Sequence, residues 1–205
     1  MSPPLDLTEI EEAARKEGNI HIVGVDEVGR GPLAGPVVAA AVKLPEGCRI
    51  EGLADSKSLS SRKRELISNK ILKIPNMHYG LGLVSSQIID RVNVLQATHL
   101  AMRKAIQKIQ TSIDIILVDG NPVPGFPYPS KNVIKGDKRV ASIAAASIIA
   151  KVYRDQLMKK FDALYPGYGF RKNKGYGTKE HINALQRLGA CPIHRYSFAP
   201  VSKCM

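Results

Sequence analysis

Tryptophan is absent from this 205-residue chain, and tyrosine and phenylalanine contribute only seven and four side chains. So few aromatic rings argue against a broad platform on which the bases of a single strand would stack. Cysteine is scarce as well. Cys48, Cys191 and Cys204 are widely scattered and form no CxxC pair, which argues against a disulfide framework and a zinc site. We expect all three thiols to be reduced.

Long apolar runs are also missing. No run approaches the roughly 18 residues that a membrane-spanning helix requires, and the longest weakly polar stretch, residues 140–150, has the pattern of a buried helix. The first twenty residues are rich in glutamate and contain no apolar segment of the kind found in secretion signals. We therefore expect a cytoplasmic protein that does not associate with membranes.

Acidic residues are outnumbered: 30 Lys and Arg stand against 18 Asp and Glu, a net charge of +12. Such a surplus favours polyanionic partners, of which nucleic acid is the commonest, although an inert basic surface has the same composition. The basic residues concentrate in segments 57–64 and 171–179, and the second is interleaved with glycines and Tyr176. We interpret it as a loop that follows a duplex backbone, with Lys57, Lys172 and Lys174 as candidate phosphate contacts.

The hydrophobic pattern predicts one α/β domain over residues 1–205, whose residues 165–205 form a helical C-terminal portion. Strands are predicted at residues 20–25, 37–42, 78–84, 113–118 and 132–135, the first two as a hairpin. Helices are predicted at 7–16, from Ser60 or Ser61 to 73, from Ser85 or Ser86 to 109, at 139–164 and at 178–188. The small residues that begin the helix 139–164 allow it to pack closely on the sheet.

Carboxylates stand at the ends of predicted strands. They are Asp26, Glu27, Asp119 and Asp137. Each carboxylate taken alone is explained by an ordinary turn or helix cap. Together they lie at the ends of strands, where open α/β sheets usually bind ligands. Adjacent residues of a strand face opposite sides, so we expect the first strand to give way to a turn at Asp26 and Glu27, with Gly29 and Gly31 supplying that turn.

Four such carboxylates would repel one another and a phosphate alike unless cations neutralised them. Oxygen ligands without His or Cys favour Mg²⁺ or Mn²⁺ over zinc, and two such ions activate water and stabilise the leaving oxygen of a phosphodiester. An acidic metal cluster in a basic protein is the electrostatic arrangement expected of a nuclease. The glycines of residues 24–31 do not form a Walker A loop, because Arg30 and Gly31 stand where that pattern requires Lys and Ser or Thr.

The run VDEVGRGPLAGPV at residues 25–37 resembles the signature of the type 2 ribonucleases H, the bacterial ribonuclease HII family in particular. Further segments resemble that family in the same order. They are DSK 55–57, VDG 118–120, KGD 135–137, AAASIIAKV 144–152, KGYGT 174–178 and IHRYSF 193–198. The likeness extends from about residue 20 to residue 198, and the ordered series is highly specific.

The resemblance implies a ribonuclease H-like mixed β-sheet flanked by helices. It also implies a metal-dependent endoribonuclease that hydrolyses the RNA strand of RNA/DNA hybrids and nicks 5′ of ribonucleotides embedded in duplex DNA, leaving 3′-hydroxyl and 5′-phosphate ends. The family's four metal-site acids fall on the carboxylates selected above. Its Gly-Arg-Gly element, which reads the 2′-hydroxyl at the RNA–DNA junction, falls on Gly29, Arg30 and Gly31, and its junction-sensing tyrosine on Tyr176.

Two other functions stay open at this point. One is a non-catalytic basic protein that binds duplex nucleic acid, and the other is a ribonuclease H-like nuclease for another substrate, such as branched DNA. We expect a monomer. The residues leave open whether Mg²⁺ or Mn²⁺ is used, whether hybrids or embedded ribonucleotides are preferred, and whether a sliding clamp binds. His194 and Arg195 either support the site or satisfy core and surface hydrogen bonds, and we favour the structural interpretation; we interpret His181 as solvated.

Overall fold

A five-stranded mixed sheet forms the centre of the fold. The computed structural model describes residues 7–53 and 59–204. The strands are β1 (Ile22–Val28), β2 (Val37–Lys43), β3 (His78–Val84), β4 (Ile115–Asp119) and β5 (Ser130–Val133), in the spatial order β3-β2-β1-β4-β5. β1, β2 and β3 pair antiparallel, whereas β4 is parallel to β1 and β5 is parallel to β4. The predicted mixed sheet and its initial hairpin are confirmed.

Helices cover both faces of this sheet. They are α1 (Glu9–Lys16), α2 (Ser61–Ile71), α3 (Ser86–Ile106), α4 (Ala141–Leu164), α5 (Phe170–Asn173), α6 (Lys179–Leu188) and α7 (Ala199–Ser202). Alternate residues of β2 separate the two layers: Val38, Ala40 and Val42 pack with α4 and α2, while the residues between them pack with α3. Both faces are buried, which explains the unbroken apolar sequence of β2. No helix among the described residues has the length and apolarity to cross a membrane.

Close packing of α4 on β1 brings the helix to the end of that strand. A Cβ atom on Gly24 would collide with the α4 backbone at Ser142 and Ile143. The absence of a side chain at Gly24, together with the small residues that begin α4, therefore allows backbone-to-backbone approach. As a result Ser147 and Lys151, further along α4, lie beside the acidic end of β1.

The N-terminus of α4 is capped from α1. Val140 provides no capping side chain, and Glu11 Oε1 instead accepts hydrogen bonds from the Ser142 amide at 3.0 Å and from the Ser142 hydroxyl at 2.5 Å. We expect Glu11→Ala to lower the free energy of unfolding by about 1–3 kcal/mol, because it leaves two buried donors unpaired. Urea unfolding measures the change. Glu9→Ala, at an exposed position in the same helix, is the control, and an equal loss in both variants would contradict this capping role.

Several predicted bounds were wrong in detail, for reasons that lie in the packing or pairing. β1 continues through Asp26 and Glu27 to Val28, because β2 pairs with it along that length. β5 lies at Ser130–Val133, two residues earlier than expected, since its register is set by pairing with β4. α3 is broken at Asn93, which has a φ of 65° and whose Oδ1 accepts hydrogen bonds from the amides of Leu95 and Gln96.

Candidate active site

Two neighbouring parallel strands end at the same edge of the sheet. Val25 of β1 pairs with Val118 of β4, so Asp26 and Asp119 each come one residue after a paired position. Asp26 is buried; its Oδ1 accepts a hydrogen bond from the Glu27 amide at 2.7 Å, and the Ser147 side chain on α4 also bonds to it. The register of the sheet therefore brings the two aspartates to one place, as the sequence predicted.

Asp137 reaches the same region through a backbone turn. Asp119 Oδ1 accepts a hydrogen bond from the Gly136 amide at 2.6 Å, and Gly136 opens the short 3₁₀ turn Gly136–Lys138 that contains Asp137. A Cβ atom on Gly136 would lie 2.6 Å from Ile143 Cδ1 and 3.3 Å from Asp119 Oδ1, so a side chain here would require the Ile143 side chain to move. Asp137 itself is almost fully buried.

The carboxylates at this edge interact electrostatically. Burial raises the pKa of Asp26 well above its usual value, and the negative charges of Glu27 and Asp119 raise it further. Burial also raises the pKa of Glu27, although Arg30, whose Nη1 lies 3.3 Å from Glu27 Oε1, partly offsets this effect. Three acids thus share one site, and a bound cation would relieve the repulsion among their charges.

These acids line an open cleft of about 340 Å³, together with Arg64, Ser147, Lys151 and Tyr176. Over residues 7–53 and 59–204, no three His, Cys, Asp or Glu side chains already converge into a metal-binding arrangement. The donor set nevertheless fits a hard divalent cation, since every acid here offers oxygen only and the negative charges of Glu27 and Asp119 raise the pKa of Asp26. Asp137 is not among the residues that line the cleft.

The predicted junction-reading residues lie together beside this cleft. Tyr176 lines it and is 43% exposed, and a Cβ atom on Gly31 would lie 3.8 Å from the Tyr176 ring. Gly29 has a φ of +95°, and a Cβ atom there would collide with the Arg154 side chain. Gly29 is therefore needed for the turn, whereas Gly31 leaves an open gap opposite Tyr176.

Of the predicted lysines, Lys172 and Lys174 bond to groups that are close to them in the chain. Lys172 Nζ is 2.9 Å from Glu180 in an exposed ion pair, and Lys174 Nζ donates to the Arg171 carbonyl. Burial lowers the pKa of Lys174. Neither residue lines the cleft, and Lys57 lies outside the described residues.

Three polar residues that line the cleft were not predicted from the sequence: Arg64 on α2, and Ser147 and Lys151 on α4. Lys151 Nζ lies 2.6 Å from Asp155 Oδ1. Ser147 and Lys151 are four residues apart and so share one helix face. That spacing, within the mostly apolar first half of the helix, is the signal that would have found them.

His181 is fully buried, so the prediction that it is solvated was wrong. Its Nδ1 lies 2.9 Å from the Tyr176 carbonyl, its Nε2 lies 3.0 Å from His194 Nε2, and the Cys191 amide donates to His194 Nδ1 at 2.9 Å. A carbonyl only accepts, so His181 carries its proton on Nδ1, and His194 carries its proton on Nε2. A chain of hydrogen bonds therefore runs from Cys191 to the backbone of Tyr176.

This histidine pair predicts a loss of stability in acid. Burial, and then the neighbouring His181, lower the pKa of His194 from 6.5 to about 4. In the unfolded chain His194 binds a proton below about pH 6.5, whereas in the folded chain it binds one only below about pH 4. The free energy of unfolding therefore falls as the pH falls from 6.5 to 4. Between pH 7 and pH 5 we expect a contribution of about 1–2 kcal/mol. In urea titrations at these two pH values, His194→Gln should show a smaller difference than the parent, and an equal difference would contradict the assignment.

Solved structures with this fold define the class of protein. The ribonuclease H2 of Pyrococcus horikoshii OT3 superposes with a TM-score of 0.74 at 27% identity, covering 89% of this chain and 96% of that one. Two more distant structures share the fold. The PCNA:RNase HII complex from Archaeoglobus fulgidus has a TM-score of 0.75 at 24% identity and covers 89% of this chain and 96% of that one. Bst-RNase HIII in complex with Mn²⁺ has a TM-score of 0.73 at 19% identity and covers 94% of this chain and 71% of that one. The mixed sheet and its flanking helices form a ribonuclease H-like fold.

The sequence comparisons identify the family within this class. The sequence profile of ribonuclease HII matches residues 23–201. The chain is 52% identical to the ribonuclease HII of Enterococcus faecalis over 196 residues, which cover 96% of this chain and 76% of that protein. It is 51% identical to that of Chlamydia caviae over 197 residues, covering 96% and 92%. The chain belongs to the ribonuclease HII family. It is a type 2 ribonuclease H, an endoribonuclease of a family that depends on divalent metal ions and acts on RNA/DNA substrates.

Proposed function

We propose that this chain nicks duplex DNA 5′ of an embedded ribonucleotide and hydrolyses the RNA strand of RNA/DNA hybrids, leaving 3′-hydroxyl and 5′-phosphate ends. The observation that carries the proposal is the shared cleft, which joins the carboxylates of Asp26, Glu27 and Asp119 to the Tyr176 ring beside Gly31. The carboxylates suit hydrolysis of a phosphodiester, and the Tyr176 ring beside Gly31 suits contact with a sugar.

Asp26, Glu27, Asp119 and Asp137 are the residues that would hold Mg²⁺ or Mn²⁺. When bound, two such ions supply the activation of water and the stabilisation of the leaving 3′-oxygen. Ser147 and the Gly136 amide orient Asp26 and Asp119 through hydrogen bonds. These contacts fix the carboxylates before the substrate arrives, which is how neighbouring groups hold metal ligands in other proteins.

Cationic side chains beside the cleft orient the nucleic acid. Arg30 is half-exposed and has only Glu27 as an ion-pair partner among the described residues, so its guanidinium is available to a phosphate next to the scissile bond. Arg64 and Lys151 line the cleft and supply positive charge against the polyanion. Tyr176 packs on the sugar that follows the ribonucleotide, and the backbone of Gly29 and Gly31 approaches the 2′-hydroxyl.

A nicking assay tests this proposal. The substrates are a duplex with one embedded ribonucleotide, a uniform RNA/DNA hybrid, an all-DNA duplex and a branched DNA, each with Mg²⁺, Mn²⁺ or EDTA. We expect cleavage of the first two in either metal and none in EDTA, and extension of the product by a DNA polymerase reveals its 3′-hydroxyl. Cleavage of branched DNA alone, or binding of every duplex without cleavage, would overturn the proposal.

The two lysines of the 171–179 segment give a separate prediction about affinity. We expect Lys172→Glu with Lys174→Glu to weaken binding to duplexes of every sequence. The double variant should also reduce the slope of log affinity against log salt by up to about two, since each phosphate contact contributes about −0.9 in B-DNA. Filter binding over a range of salt concentrations measures the slope. Lys16→Glu with Lys203→Glu, both at exposed positions, makes the same change in net charge, and an identical slope in the two double variants would place Lys172 and Lys174 off the nucleic acid.

The organisation of residues 1–205 as a single domain, the monomeric state and the cytoplasmic location stay predictions. Sedimentation of the purified chain tests the second of these. The Archaeoglobus fulgidus structure suggests a sliding clamp as the partner to try in a binding assay, since that ribonuclease HII was solved with PCNA.

A further inference from the structure

Two loops meet beside the cleft, and both depend on buried side chains for their shape. The first, residues 29–36, joins β1 to β2 and contains the Gly-Arg-Gly element; the second, residues 174–178, contains Tyr176. They are joined directly where the Leu33 amide donates to the Gly175 carbonyl at 2.7 Å. A Cβ atom on Gly175 would collide with the Ala34 carbonyl, so the loops are in backbone contact.

Arg195 shapes the first loop from below. Its side chain is fully buried; Nη2 donates to the Gly29 carbonyl at 2.6 Å and Nη1 to the Arg30 carbonyl at 2.8 Å. Nε and Nη2 also donate to the Gly35 carbonyl at 3.1 and 2.8 Å. One planar guanidinium thus joins both ends of the loop and fixes the direction in which its backbone groups point.

Arg154 joins the first loop to the second. It is also fully buried, and it donates from Nη2 to the Ala34 carbonyl at 3.0 Å and from Nε to the Pro36 carbonyl at 3.0 Å. Its remaining nitrogen, Nη1, donates to the Lys174 carbonyl at 2.8 Å. Arg154 therefore sets the distance between the Gly-Arg-Gly loop and the residues that precede Tyr176.

Burying these two arginines is energetically unfavourable. Burial lowers the pKa of Arg195 to about 9 and that of Arg154 to about 10, so both stay charged at neutral pH. No carboxylate in the described ranges lies within salt-bridge distance of either one; Asp90 and Asp155 act on them only from further away. Two buried charges that bond almost only to backbone carbonyls indicate that exact placement of those carbonyls matters.

A third buried contact fixes the Tyr176 backbone independently of the arginines. His181 Nδ1 donates to the Tyr176 carbonyl, and the hydrogen bond from His194 holds the His181 ring in that tautomer. Rings of Tyr168 and Phe170 pack around both histidines. Buried donors therefore bond to the carbonyls of Gly29, Arg30 and Tyr176. Gly31, the remaining residue assigned to contact with the sugar, is next to Arg30 in the chain.

We propose that Arg195, Arg154 and His181 are positioning residues for ribonucleotide recognition, which set the separation of the Gly31 backbone and the Tyr176 ring. The inference rests on the proposed function, because it assumes that these loops inspect the sugar at an RNA–DNA junction. It predicts that loosening either loop harms cleavage at a single embedded ribonucleotide far more than cleavage of a uniform hybrid, which presents a ribose at every position.

The first test uses arginine-to-lysine variants, which keep the charge and lose the planar fork. For Arg195→Lys and Arg154→Lys we expect kcat/KM on the embedded ribonucleotide to fall at least about tenfold relative to kcat/KM on the hybrid. Arg187→Lys, at an exposed position on α6, should leave the ratio unchanged. A purely structural role would lower both rates together with the folded fraction, and a constant ratio in folded variants would overturn the inference.

The second test keeps the inference falsifiable if the arginine variants do not fold. His181→Asn retains an N–H near the position of Nδ1, whereas His181→Phe retains a ring and loses the donor; both remove the acceptor for His194. We expect His181→Phe to lower the substrate ratio at least about fivefold and His181→Asn to keep it near the parent value. Equal ratios in the two variants would overturn the inference. A parent enzyme that cleaves hybrids and fails on the embedded ribonucleotide would instead overturn the proposed function, and the inference with it.

Discussion

Asp119→Asn is expected to lower kcat for cleavage by at least about a thousandfold in Mg²⁺, a larger loss than we expect for any substitution in the two loops. The change removes one negative charge from the cleft and keeps the shape of the side chain. Its Oδ1 still accepts from the Gly136 amide, which lies 2.6 Å from that atom in the parent. The turn that contains Asp137 therefore stays in place, and what is lost is the ability to hold a divalent cation, a contribution of several kcal/mol to stabilising the transition state.

Binding separates this explanation from a folding defect. Affinity for a hybrid at low salt should survive in Asp119→Asn, because the phosphate-contacting cations remain and one repulsive charge has gone. Asp162→Asn, near the end of α4 and not among the residues lining the cleft, is the matched control and should cleave at the parent rate. Rapid nicking by Asp119→Asn in Mg²⁺, measured in single turnover, would remove Asp119 from the metal site.

The sheet was predictable because its buried strands have apolar residues that are adjacent in the sequence. The apolar runs at β2 and β3 gave their bounds almost to the residue, since both strands are covered or paired along their whole length. β4 starts later than predicted, at Ile115, because the Asp114 carboxylate accepts hydrogen bonds from the amides of Ile20 and His21. Contacts between residues so far apart in the chain leave no local trace in either segment.

The four acids were selected from their positions after strands, and three of them line one cleft. The expected turn at Asp26 and Glu27 was wrong, yet both residues line the cleft. Past Val25, β1 pairs with β2 and no longer with β4, which opens that side of the strand. Local alternation of a strand shows which face a residue occupies, but the point at which a neighbouring strand ends depends on the sheet as a whole.

The partners of the buried polar residues were beyond sequence reasoning for a related reason, although Arg195 was interpreted as structural. Arg154, Arg195 and His181 resemble surface residues by type, and only the folded chain shows that each donates to loop carbonyls. Their partners are backbone carbonyls. Every residue has one, so the sequence does not show which residues are the partners. A buried cation paired with carbonyls has no sequence signature comparable to that of an ion pair.

Discrimination between a ribonucleotide and its deoxy neighbour depends on the 2′-hydroxyl, since base pairing is the same for both. Two features of the structure suit contact with a sugar. Gly31 presents bare backbone, and the nearest atom to a Cβ placed there is the Tyr176 ring carbon at 3.8 Å. Tyr176 is partly exposed at that gap, and its backbone is fixed through His181. A sugar bound between them would meet the backbone on one side and a ring on the other.

Tyr176→Ala is therefore expected to lower kcat/KM at a single embedded ribonucleotide by about tenfold to a hundredfold, the equivalent of losing about 1–3 kcal/mol of ring packing. Lys172→Ala, whose side chain lies in an exposed ion pair, should change it less than about threefold. Gly31→Val should cause a comparable loss without unfolding the chain, because its Cβ meets only the Tyr176 ring, at an ordinary contact distance of 3.8 Å; the same change at Gly29 would meet Arg154 and a φ of +95°. Single-turnover nicking, with circular dichroism to confirm folding, measures all three. Folded Tyr176→Ala and Gly31→Val variants that nick this substrate at the parent rate would remove both residues from sugar recognition and leave the assignment of the carboxylates intact.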